Sequence, residues 1–343
     1  MHKLLGLSLL ALLCLSCGKN EIEIDKEIPQ DPYAVTDFQI ESLTLDNFPF
    51  IDCSTSTRPL RDMVMYELLE IPYSWGLDYI SGAQYKVSFG FPEGMVMGSD
   101  EHKEYTNILH TRLLPSSGSH GAYVNLIEGK TGVIIDSRDI SRNELQYAQE
   151  QGAVIETKPV AWDALVFIVN PKNKVKSLTL DQIRIIYTGK ITNWKQVGGD
   201  NHEIHPYMRD TDSGSQEKME TLVMGGQQMK DWPEMILSSM TSPFFSVEQD
   251  EWGIAYTPYY YCTKMVGDLI HVKVLSVDGV QPNPVTILRG AAGNTRNAYP
   301  FYSSIYAAVR ADEPQDTYPR LIYRWLSTPK GKTIINESGY IAR

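Results

Sequence analysis

From residue 48 onward, short apolar runs alternate with runs of helical period, and few architectures satisfy that rhythm. A chain that alternates in this way packs as a sheet with helices laid on its faces, which predicts an α/β protein. Phe48-Pro49-Phe50-Ile51 reads as a strand. A helix follows from about Arg58, with Pro59 in its first turn and Leu60, Met63, Val64 and Leu68 on one face. Residues 71–116, rich in Gly, Tyr and Met, read as strands and loops. A helix opens at Ser119, carries Ala122, Tyr123, Leu126 and Ile127 on its apolar face, and ends at Gly129. Thr131–Ile135 reads as a buried strand. Ser141 with Glu144, Thr179 with Gln182, and Ser213 with Gln216 all have capping-box spacing. The first of these helices stops at Gly152 and the second covers Leu180–Tyr187. Leu165–Val169, Ile204–Met208, Trp252–Thr257 and Ile305–Val309 read as further strands, and helical stretches from about Tyr318 to Leu326 and from Gly331 close the chain.

Composition narrows what such a fold does. The 343 residues suggest about two domains, and 42% hydrophobic with 21% charged residues is enough apolar surface for a packed body. Lys plus Arg is 31 against 42 for Asp plus Glu, a net charge of -11. That balance lacks the basic field that duplex nucleic acid demands. Of four cysteines, two fall in the first 17 residues, so no disulfide framework holds the fold. Cys53 and Cys262 are left either as a pair or, more simply, as two buried thiols. The seven histidines show no metal-ligand spacing, and no Gly-x-Ser-x-Gly elbow occurs. Ser119 and His120, adjacent at a helix start, point apart and make a poor nucleophile and base. These residues predict a binding protein without a cofactor, not an enzyme.

The amino end reads as an address. Lys3 precedes an aliphatic run from Leu4 to Leu15, too short to span a bilayer as a helix. The run ends Leu13-Cys14-Leu15-Ser16-Cys17, which resembles a bacterial lipobox. On that reading residues 1–16 are a lipoprotein signal peptide, Cys17 is lipidated, and residues 17–36 form an acidic tether with Pro29 and Pro32. The protein is then extracytoplasmic and membrane-anchored.

One device appears three times. Ser54-Thr55-Ser56-Thr57, Gly118-Ser119-His120-Gly121 and Ser213-Gly214-Ser215 each lead directly into a helix. A helix start leaves up to four backbone N–H groups without intrahelical partners and carries about half a positive charge. Glycine admits a close ligand, hydroxyls add rotatable donors, and a small oxyanion is the matching partner. Any one such start is explained by the good capping of Ser and Thr alone. Three of them, with Arg209 just before the third, point to an anion site. Asp210 or Asp212 would orient that guanidinium.

The run Asp163 to Asn170, Leu178 to Arg184, Tyr187-Thr188-Gly189-Lys190-Ile191-Thr192-Asn193-Trp194 and the Arg209–Ser215 loop resembles the phosphate-binding proteins of bacterial phosphate ABC transporters. Gly253-Ile254-Ala255-Tyr256, Tyr299-Pro300-Phe301 and Gly339-Tyr340-Ile341 extend the resemblance, which covers most of residues 45–343. It implies a type II periplasmic-binding-protein fold: two α/β lobes joined by two crossing strands around a ligand cleft. Lobe I would comprise residues 37–158 plus 262–343, and lobe II residues 159–261. Carried over by motif, Ser54, Thr55 and Ser56 match the first anion loop, Ser119 the second, and Arg209, Ser213, Gly214 and Ser215 the third. Family members also use an Asp that accepts the proton of hydrogen phosphate and disfavours sulfate. Asp136 or Ser137 aligns with it, and Arg138 offers a second anion clamp. The implied partners are inorganic phosphate or a similar tetrahedral oxyanion and ABC permease subunits, with the protein acting as a monomer. Cys53 where the family has Gly, His120 for a small residue, Ser215 for Thr and a longer 71–116 stretch are departures that leave open which oxyanion it takes. A sensing or scaffold lipoprotein of the same fold is the alternative.

Overall fold

The computed structural model describes residues 31–78, 83–211 and 213–343. Residues 1–30, with Cys17 and most of the tether, lie outside the described residues, as does Asp212.

Strand β1 (Ile51–Cys53) leads into helix α1 (Arg58–Leu68), with Pro59 at its start as expected. The strand lies later than Phe48–Ile51, because Pro49 has no N–H for a ladder. Strands β2 (Tyr73–Asp78) and β3 (Gln84–Phe89) pair antiparallel. Helix α2 (Asp100–Ile108) runs on as a π-helical turn over Leu109–Leu113, so 71–116 holds a helix beside its strands. Then come α3 (Gly118–Ile127), β4 (Val133–Asp136) and α4 (Arg142–Glu150). The long β5 (Ile155–Val169) is followed by β6 (Ser177–Leu178) and α5 (Leu180–Tyr187). The Ser141–Glu144 and Thr179–Gln182 capping boxes are both formed.

The expected strand at Ile204–Met208 is broken into β7 (His205–Pro206) and β8 (Met208–Arg209), which join different partners. Helix α6 (Gly214–Lys218) continues as a π-helical turn through Met224. Its expected capping box is half formed. Ser213 Oγ accepts from Ser215 N, but Gln216 turns inward, where its Oε1 accepts from the Tyr256 hydroxyl and from Arg209 N. The remaining elements are β9 (Ile236–Leu237), α7 (Ser242–Gln249), β10 (Gly253–Pro258), β11 (Lys273–Val274), β12 (Ser276–Val277), α8 (Pro284–Ala291) and β13 (Tyr302–Arg310). Helices α9 (Tyr318–Trp325) and α10 (Pro329–Ser338) and strand β14 (Ile341–Ala342) finish the chain. Helix α10 begins before Gly331 because Thr328 caps it, accepting from Gly331 N.

The main sheet has the order β1-β4-β13-β5-β10-β7, with β11 and β14 also on β5. β1 and β4 are parallel, as are β10 and β7, and the pairs between are antiparallel. β5 belongs to both halves of the molecule. Residues up to Ala164 pair with β13, and Leu165–Val169 pair with β10. Asp163 to Val169 are all buried, as befits a strand covered on both faces. The fold is thus α/β with two lobes, of the type II kind, crossed by β5 and by the segment leaving β10. Most of the aromatics pack inside, among them Tyr187, Trp194, Tyr256, Tyr299 and Phe301. Cys53 and Cys262 are separate buried thiols, and burial pushes each up to about 12. Among the described residues no helix is long and apolar enough to cross a membrane.

Candidate functional site

Each hydroxyl loop is held in place by groups behind it. Asp52 at the end of β1 fixes the second loop: its Oδ1 accepts from Ser117 N at 2.9 Å and its Oδ2 from Asn125 Nδ2 at 2.8 Å. Arg61, buried on α1, ties three strands of chain together. Its Nη1 donates to the carbonyls of Ile51 and Pro115, and its Nη2 to that of Leu114. Thr57 Oγ1 donates to the Ile135 carbonyl at 2.7 Å, anchoring the first loop to β4. Tyr340, stacked on Tyr260 with 4.0 Å between ring centroids, donates its hydroxyl to the Ser56 carbonyl.

The loops therefore converge. Ser54, Thr55, Ser56, Ser119, Ser137, Arg209, Ser213, Gly214 and Ser215 all line one cleft of about 860 Å³. Helices α1 and α3 start there without a side-chain cap, since Thr57 and Ser117 spend their polar atoms elsewhere. Their first-turn N–H groups are left for a guest. Elsewhere α4, α5, α8 and α10 are capped by side chains and α9 is not, while α6, at the cleft, is capped by Ser213. Gly118 opens α3 with φ +73, a conformation that favours glycine. Gly214 permits close approach: a Cβ there would stand 3.4 Å from Ser137 Oγ in the opposite half.

Asp136 and Arg138 stand behind the wall. Ser119 Oγ donates to Asp136 Oδ1 at 2.8 Å, while Asp136 Oδ2 is buried with no hydrogen-bond partner. Burial pushes that carboxyl up to about 7, opposed by the Ser119 hydrogen bond and the Arg138 charge. Arg138 grips Glu144 with two prongs, Nη1–Oε2 at 2.8 Å and Nη2–Oε1 at 2.7 Å, and its Nε pairs with Glu217 Oε2 at 2.9 Å. Its two Nη nitrogens are thus committed to Glu144, while Nε meets Glu217 as an ion pair without a hydrogen bond, so Arg138 bridges the halves.

Arg209 is oriented by backbone and not by Asp210. Its Nε donates to the Leu237 carbonyl at 2.9 Å, and among the described residues it has no ion-pair partner. Burial lowers its affinity for its proton, yet its charge persists, as arginine's does at ordinary pH. Lys218 is the residue that the sequence reading overlooked. It lines the cleft at 7% exposure, and among the described residues no hydrogen bond or ion pair engages its ammonium. Burial pulls its pKa down, opposed by the charges of Asp163, Asp136 and Glu217. Its spacing of three from Ser215, one helical turn, was the available signal. The other unforeseen walls are β3, the Ser238–Thr241 loop and Tyr261. Among the described residues no group of three His, Cys, Asp or Glu is placed to hold a metal. The arrangement offers donors and cations to one small anion.

Residues 99–319 match the model of a PBP superfamily domain. The chain is 31% identical over 130 residues to the phosphate-binding protein PstS of Borreliella burgdorferi, covering 38% of this chain and 43% of that relative. It is 26% identical over 231 residues to the protein SphX of Synechococcus elongatus, covering 65% of this chain and 67% of that one. The chain thus spans less than half the length of the first relative and about two thirds of the second. Among solved structures, an ABC-type phosphate transport receptor from Vibrio cholerae superposes with a TM-score of 0.57 at 21% identity, over 86% of this chain and 100% of that one. PstS from Borrelia burgdorferi superposes with a TM-score of 0.50 at 20% identity, over 86% and 98%. At these identities the likeness is one of fold.

Proposed function

Since the chain belongs to the PBP superfamily, we propose that it is a receptor that captures phosphate in its cleft and delivers it to an ABC permease. The observation that carries this reading is the convergence of three hydroxyl-rich loops and Arg209 on one cavity. Thr55, Ser56 and the free N–H groups of α1 hold one side of the anion. Ser119 and the start of α3 hold a second, and Arg209, Ser213, Gly214 and Ser215 close over the third. Asp136 acts through Ser119. When the Asp136 carboxylate accepts the Ser119 hydrogen bond, the hydroxyl turns lone pairs toward the cleft and accepts from a protonated anion. Sulfate has no proton to give, so hydrogen phosphate is preferred. The relatives that bear the name phosphate-binding protein support the choice of ligand.

Residues 37–158 plus 262–343 and residues 159–261 move as the two lobes, closing on the ligand. Cys17 carries the lipid anchor, residues 17–36 are the tether, and the protein works outside the cytoplasm as a monomer without turnover. Calorimetric titration of the purified protein with phosphate and sulfate tests this. One phosphate site with sulfate at least tenfold weaker is expected. Absence of any thermal shift with phosphate, arsenate or sulfate would sink the reading in favour of a scaffold that kept only the fold.

A further inference from the structure

The cleft is larger than its anion end requires. Its volume of about 860 Å³ lies within the range of roughly 300–1,000 Å³ that holds organic ligands. The space is not a gap between parted halves, for the halves already touch at the loop end. Arg138 Nε stands 2.9 Å from Glu217 Oε2, and a Cβ added at Gly214 would reach Ser137 Oγ at 3.4 Å. At the other side the Tyr261 hydroxyl donates to Gln84 Oε1, joining the segment that leaves β10 to β3.

Between these closures lies a chamber that the anion loops do not use. Phe89, His110 and Met265 line it together with the polar Asp78, Gln84 and Lys86, and the buried Tyr66 and Val87 back the wall. The rings form a continuous surface, with centroids 6.3 Å apart for Tyr66 and Phe89 and 5.4 Å for Phe89 and His110. A free tetrahedral ion gains nothing from the aromatic part of this wall, whereas a carbon substituent does. At the loop end, Arg209 and Lys218 are two cations without ion-pair partners among the described residues. A phosphate monoester meets them with about -1.5 to -2 charges at pH 7, much as free phosphate does, so the cations serve the phosphoryl end and the chamber supplies the preference.

We infer that the cleft is built for a phosphate monoester, with the phosphoryl group on the three loops, Arg209 and Lys218, and the organic group in the chamber beneath β3. The inference rests on the phosphate reading above. The test is competitive calorimetry on the purified protein with inorganic phosphate, ethyl phosphate, glycerol phosphate and phenyl phosphate. At least one ester is expected to bind tenfold more tightly than inorganic phosphate and to compete with it for a single site. His110→Trp, which narrows the chamber from the wall beside Phe89, is expected to erase that advantage while leaving phosphate affinity within threefold, with thermal unfolding verifying the variant's fold. If phosphate binds and every ester binds no more tightly, the inference is overturned while the phosphate reading stands. If neither phosphate nor any ester binds, the phosphate reading fails first and takes the inference with it. The wild-type comparison decides even if the variant does not fold.

Discussion

The Ser119 hydroxyl and the Asp136 carboxylate form a hydrogen bond of 2.8 Å directly behind the cleft. Asp136 is fully buried, and the charged groups facing it are Arg138, Glu144 and Lys218. Its pKa rises from 3.8 to about 7 on burial. An acid with a raised folded pKa binds more protons folded than unfolded, so stability falls as pH climbs from about 4 to about 7. Asp136→Asn should therefore stabilise the ligand-free protein at pH 8, by up to about 4 kcal/mol. The gain should shrink below pH 7 and vanish near pH 4. Urea unfolding at pH 5 and pH 8 measures this, and equal effects at the two would contradict it.

Arg209→Ala should weaken phosphate binding by about 10- to 100-fold, the worth of about 1.5–3 kcal/mol in hydrogen bonds to a charged group. The backbone bond from Arg209 N to the Tyr256 hydroxyl survives the change, so circular dichroism should stay unaltered. Affinity close to wild type, measured calorimetrically, would remove Arg209 from the site.

Arg138 and its two carboxylates should separate stability from closure. Glu144 has a side chain only 1% exposed, so Arg138→Ala strands a buried charge and should destabilise by about 3 kcal/mol. Glu217 is 44% exposed, and Glu217→Gln should cost under about 1 kcal/mol while slowing neither folding nor expression. Because Glu217 holds the halves together, its loss should weaken phosphate binding by up to about fivefold. Comparable unfolding midpoints for the two variants would refute the division of labour.

Lys218→Met should raise the melting temperature of the ligand-free protein at pH 7. Burial lowers the folded pKa of Lys218 below its usual 10.5. A base so depressed binds fewer protons folded than unfolded, so the wild type gains stability as pH rises toward 10.5 and the variant's advantage fades there. The same change should weaken phosphate binding at pH 7. A lower melting temperature with unchanged affinity would make Lys218 a structural partner of Asp163.

Much of this was legible because it depends on local chemistry. The Ser141–Glu144 and Thr179–Gln182 boxes and the 180–187 helix follow from short-range rules, as do the hydroxyl loops. The full length of β5 was hidden, since Lys158, Pro159 and Asp163 break the apolar pattern. The ladder tolerates them by shifting register between Ile305 and Tyr306, opposite Pro159 and Ala161. Helix α2 escaped notice because of its residues only Tyr105 is buried, leaving no apolar stripe to detect. Gln216 has capping-box spacing, but buried partners in Tyr256 and Arg209 outcompete the helix end. Lys218 was invisible as a site residue because nothing local marks a lysine that tertiary packing seals in a cleft.

The continuity of β5 has a mechanical consequence. Its first ten residues are pinned to β13 and its last five to β10, so neither half can lose its sheet without pulling on the other. A strand shared in this way can twist between the halves but forbids their independent melting. The protein should accordingly denature in one cooperative step, and any crosslink or antibody that rigidifies residues 159–165 should slow ligand entry to the cleft without touching it.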